Sequence, residues 1–116
     1  MVGVIGLQYA APMYAQNAPP PELAVAQQAV NRADQADADQ YASELLNSAR
    51  QALAQAQAAA ASRRERKLAP ELAVRATVDA DLARARSDEA TANARLQQQR
   101  AEIEELQRTL GEGAVR

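Results

Sequence analysis

The 116-residue sequence predicts an all-α protein: an antiparallel three-helix arrangement with a long C-terminal coiled-coil helix, or, as the alternative, a two-helix hairpin. Three observations carry this. From Val78 to Leu110 an unbroken 3-4 spacing runs through Val78, Leu82, Ala85, Glu89, Ala92, Leu96, Gln99, Ile103, Leu106 and Leu110, about four and a half heptads of coiled-coil seam. Alanine, the strongest helix former, fills 30 of the 116 positions, and no glycine falls between Gly6 and Gly111. A start signal also recurs, as Pro21-Glu22-Leu23, Ser43-Glu44-Leu45 and Pro70-Glu71-Leu72. Proline suits the first helical position, serine is a capping type, and an early glutamate favours the positive end of the helix dipole.

The elements follow in order. Residues 1–21 hold no charge and read as the apolar and cleavage regions of a secretory signal, with Pro12 as breaker and Ala15 as the small residue. The basic segment that should precede them is missing, so the native start is expected upstream; the alternative is a disordered apolar tail. Gln8 and Pro12 interrupt the run, which is too short to span a membrane. The helical domain is expected over residues 22–110, with a first helix from about Glu22 to Asp37, a second from Tyr41 to Arg66, a third from Pro70 to Leu110, and a flexible tail at 111–116. The break between the first two is the least firmly encoded. The stretch Asp34 to Gln40 has neither Gly nor Pro, and a continuous helix from Glu22 to Arg66 would give the two-helix hairpin.

On the second helix, Leu46, Ala49, Leu53, Ala56 and Ala60 form a strip that can face the start of the third. The short connection makes the two antiparallel neighbours. Glu71 with Arg75 and Glu104 with Arg108 sit four apart in the favourable order for solvated ion pairs. Lengths then matter. At 1.5 Å per residue the third helix should extend about 60 Å and the second about 40 Å, so the second covers the third only to about Arg95. Leu96, Ile103, Leu106 and Leu110 are left without a partner inside the chain. The candidate interaction seam is therefore Leu82, Glu89, Leu96, Gln99, Ile103, Leu106 and Leu110, with Glu89 and Gln99 as polar positions that either set register or reach out to water.

Chemistry is sparse. The chain has no His and no Cys, so common nucleophile-base pairs and thiolate metal sites cannot be assembled, and all four glycines lie near the ends, which excludes a phosphate loop. The acidic neighbours Asp79 and Asp81, Asp88 and Glu89, and Glu104 and Glu105 are flanked by arginines and read as solvated helix surface. No enzyme activity, cofactor or metal is expected. A net charge of -2 and a pI near 5.1 argue against nucleic acid as a partner. One cluster is basic: Arg63, Arg64, Arg66 and Lys67 between the second and third helices. It can offset the negative end of the second helix or make a weak contact with an anionic membrane surface.

Three segments, Pro20-Pro21-Glu22-Leu23-Ala24, Ala38-Asp39-Gln40-Tyr41-Ala42-Ser43-Glu44-Leu45 with Ala49-Arg50-Gln51-Ala52-Leu53, and Ala80-Asp81-Leu82-Ala83-Arg84-Ala85-Arg86, resemble the domain of unknown function 4398 family of bacterial cell-envelope proteins. The resemblance spans most of the chain after the leader. It implies an exported, alanine-rich helical protein, often a lipoprotein and often joined to a peptidoglycan-binding OmpA-like domain. These residues hold neither a cysteine for lipid attachment nor such a domain, so neither property is carried over. Ser43 stands where the family commonly has proline. The expected protein is thus periplasmic and structural or scaffolding, pairing with itself or with another envelope protein through the third helix. The alternative is a periplasmic adaptor or chaperone-like binding module.

Overall fold

The computed structural model describes Gly3 and residues 18–115, so the leader expected over residues 1–21 lies almost wholly outside the described residues. The described residues are helical and contain no strand. Helix α1 spans Pro21–Gln35, the single turn α2 spans Ala38–Tyr41, and α3 spans Ser43–Ala61. A 3-10 turn at Arg66–Leu68 leads into α4, Ala69–Val115. The three-helix arrangement is the one observed.

Local chemistry places the boundaries. Pro21 opens α1 with Glu22 in its first turn, as the start signal requires. The break that excludes a continuous helix through residues 34–40 falls at Asp37, whose φ of 60° is left-handed. Aspartate is among the few side chains that visit this region, and here it turns the chain without glycine. The amides of Ala36 and Asp37 reach back to the carbonyls of Arg32 (3.1 Å) and Asp34 (3.1 Å), closing α1. A second departure at Ala42 (φ -146°, ψ 46°) separates α2 from α3. Ala42, not Ser43, occupies the N-cap of α3, and no side chain caps it. We expect Asp37→Val to lower stability by about 1–2 kcal/mol, the cost of a β-branched residue in the left-handed region, and Asp37→Gly to lower it little or not at all. Urea unfolding compares them; equal stability would remove Asp37 as the encoder of the break.

Two expected ends move. The second long helix stops at Ala61 rather than Arg66, because Ser62 turns extended (ψ 129°) and its amide bonds the Ala59 carbonyl at 3.1 Å. The last helix does not stop at Leu110 but continues through Gly111 and Gly113 to Val115. At about 1 kcal/mol each, helical glycines weaken that end without breaking it.

Both α1 and α3 pack chiefly on α4 and less on each other, α3 antiparallel to it and α1 parallel. The core is made of small residues. On α4 the buried positions are Ala69, Ala73, Ala76, Ala80, Ala83 and Ser87, a 3-4 spacing in its own right. Facing them are Ala26, Ala29, Val30 and Ala33 of α1, and Leu46, Ala49, Leu53 and Ala56 of α3. Alanine on both sides lets the helix axes approach closely, and each buried methyl is worth only about 0.8 kcal/mol against about 1.5–3 for a leucine. Leu46 is the largest fully buried apolar side chain among the described residues, and Leu53 and Val30 are the other buried apolar side chains larger than alanine.

Polar links fix the register of this smooth surface. Ser48 Oγ donates to Asp79 Oδ2 at 2.8 Å, joining α3 to α4. Ser87 Oγ donates to the Ala36 carbonyl, seating the α1–α2 corner on α4. Arg50 pairs with Asp34 between α3 and α1. Ion pairs on α4 form at Arg84–Asp88 and at Arg108–Glu105 (3.3 Å). Arg108 thus takes the glutamate three residues back, not the expected Glu104. Among the described residues no buried side-chain polar atom lacks a partner.

Candidate interaction seam

Helix α4 carries two seams with the same spacing. The inner one is the alanine row just described. The outer one, from Val78 to Leu110, is the row of branched residues that the sequence makes conspicuous. Each helical residue turns about 100°, so Leu82 lies about 200° round from Ala80 and the two rows occupy opposite faces. Burial agrees with the angle: Ala80 is fully buried, while Val78 is 59% and Leu82 42% exposed.

This corrects one expectation. The hairpin that α1 to α3 form on α4, and its second long helix above all, was expected to cover the proximal part of the outer seam, as far as about Arg95. It covers the proximal part of the opposite face instead, and along α4 its cover ends with half-buried Ala90 and Thr91. Among the described residues nothing packs over Leu82, Glu89 or Ala92, which are all exposed. The outer seam was legible because leucine stands out from alanine. The inner one was missed because in a chain this rich in alanine a row of alanines has no contrast. Ser87, the only polar residue among the buried positions of the described residues, was the available clue.

Beyond Thr91, none of the other described elements covers α4, over about 36 Å at 1.5 Å per residue. Leu96 (44% exposed), Ile103, Leu106 and Leu110 (73%) lie along it, and Gln99 is exposed between them. Glu89 is exposed too, with no hydrogen bond or ion pair recorded for it among the described residues, whereas its neighbour Asp88 is held by Arg84 at 3.9 Å. The stripe also broadens at its proximal end. There Val25 of α1, 55% exposed, joins Pro21, Val74 and Val78 in lining an apolar groove between α1 and α4.

The basic turn is built differently from the expected helix end. Arg63, Arg64, Arg66 and Lys67 are all exposed. Because α3 ends at Ala61, only Arg63 and Arg64 lie near its negative end; Arg66 and Lys67 precede the positive N-terminus of α4, where the dipole does not favour them. The dipole of α3 therefore favours Arg63 and Arg64 and not Arg66 or Lys67.

Among the described residues, no group of acidic side chains is placed to hold a metal ion, and no helix is long and apolar enough to cross a membrane. Asp79 is engaged by Ser48, which gives that carboxylate a structural task. No curated protein and no solved structure matches the chain. The model of a domain of unknown function (DUF4398) matches residues 21–106, a span that takes in the whole hairpin and the outer seam as far as Leu106. That is about three quarters of the sequence, and the chain belongs to the DUF4398 family.

Proposed function

We propose that this is a non-enzymatic structural protein of the bacterial cell envelope, exported to the periplasm, that acts by pairing its long helix with another helix. One observation carries the reading. From Val78 to Leu110 the large aliphatic residues of α4 lie on the face pointing away from the hairpin, and they continue for several turns past the hairpin's end. A fold that needed them only for its own stability would have turned them inward, since exposed aliphatic rows on this scale are otherwise a liability. Over this stretch α4 does the reverse, turning alanine inward and leaving leucine outside. The charged turn between α3 and α4 favours a scaffold over a client-holding prong, whose tip would be apolar.

A photo-reactive residue at position 103 in living cells tests this. We expect the tagged protein in the envelope fraction and a discrete cross-linked adduct that disappears when Leu96→Asp is added. Recovery of the protein solely from the cytoplasm, or an adduct insensitive to Leu96→Asp, would overturn the proposal.

A further inference from the structure

We infer that the outer seam receives a second copy of this chain, antiparallel and two-fold symmetric, in the register where paired residue numbers sum to about 188. The inference rests on the pairing role proposed above and names its partner. In heptad terms one column of the seam is Leu82, Glu89, Leu96, Ile103 and Leu110, and the other is Val78, Ala85, Ala92, Gln99 and Leu106. Antiparallel pairing sets one column against the other. In this register Leu82 meets Leu106 of the second copy, and Glu89 meets its Gln99. Leu96 then falls on Ala92, Ile103 on Ala85, and Leu110 on Val78. Leu96 and Ile103 thus face alanines, and the two polar seam residues face each other, where the amide of Gln99 can donate to the carboxylate of Glu89.

Neighbouring registers lose this match. A shift of one heptad toward the C-terminus sets Glu89 against Leu106 and Gln99 against Leu96; a shift the other way sets Leu82 against Gln99 and runs Leu106 onto Arg75. Parallel pairing in register stacks Glu89 on Glu89 inside the seam, alanine on alanine and leucine on leucine. Two like charges in a desolvated seam oppose each other more strongly than exposed ones.

A separate observation fits the same register. The apolar groove of Pro21, Val25, Val74 and Val78 includes α1, which is no part of the heptad pattern, and it lies where Leu110 of the second copy arrives. The hairpin does not obstruct the approach, because it sits on the opposite face. The flanking charges work against the pair: Arg86 faces Arg100, and Asp88 faces Glu102. These contacts are solvent-exposed and screened by salt. The dimer should therefore tighten as salt rises, by about three- to ten-fold between 50 and 500 mM sodium chloride.

The chain has no cysteine, so introduced thiols report cleanly. Leu82→Cys and Leu106→Cys proteins are prepared singly and mixed under mild oxidation, with wild-type mass followed in parallel by sedimentation. The expected result is a disulfide-linked dimer from the mixture and little from either variant alone, since each introduced thiol lies about 36 Å from its own copy across the two-fold axis. Cross-linking of each variant with itself would overturn the antiparallel register while leaving the pairing role standing. A wild-type chain that stays monomeric at high micromolar concentration would overturn the second copy as occupant. The in-cell adduct at position 103 would then decide whether the pairing role itself survives.

Discussion

Replacing Ala80 with leucine is expected to lower the unfolding free energy by about 1–3 kcal/mol, the usual penalty for forcing extra carbons into a packed interior. Ala80 is fully buried between α4 and the two helices that lie on it. The facing residues are mostly alanine, and the few larger ones, Val30, Leu46 and Leu53, are themselves buried, so extra volume at this position pushes α1 or α3 outward. Such a shift would also stretch the Ser87 and Ser48 links that hold register. Ala101 stands three heptads further along the same face, past the end of the hairpin, and is exposed. Ala101→Leu is therefore expected to change stability by less than about 0.5 kcal/mol, as for ordinary surface substitutions. Chemical unfolding of the two variants maps where the hairpin ends. An equal cost at both positions would mean that the inner seam is covered along its whole length.

The residues that made the fold legible were those whose chemistry has few alternatives. Pro21 and Pro70 mark helix starts to within a residue, and the strip from Leu46 to Ala56 falls on the buried face of α3 as its spacing requires. The α1–α2 break was placed in the right stretch but not on Asp37, since aspartate in the left-handed region is permitted rather than demanded. The site was legible in part. Leucine spacing found the outer seam and helix length found its unpartnered distal half, but spacing alone carries no information about which of two heptad rows faces inward. Side-chain volume does: a row of methyl groups admits two close neighbours, and a row of branched chains does not. Tertiary fit at Ala80 and Ala83 therefore overrode the reading that the most apolar row faces inward.

Leu96→Asp combined with Ile103→Asp is expected to abolish pairing while leaving the hairpin intact. Both side chains are about half exposed in the single chain, so the substitutions cost the monomer little. In a two-fold pair they remove four apolar contacts. With about half of each side chain left to bury, at about 0.75 kcal/mol each as a lower value, that is a loss of at least about a hundred-fold in affinity. A truncation ending at Arg95 should behave alike, helical and monomeric, because it keeps every buried residue of the inner seam.

Sedimentation equilibrium of the intact chain beside the Leu96→Asp, Ile103→Asp variant, from low to high micromolar concentration with helicity checked by circular dichroism, tests self-pairing most directly. The outer-seam account predicts a wild-type mass rising from 12.4 kDa toward twice that value, and a variant that stays at 12.4 kDa with its hairpin helicity retained. A wild-type chain that remains at single-chain mass throughout, with α4 fully helical, would contradict it.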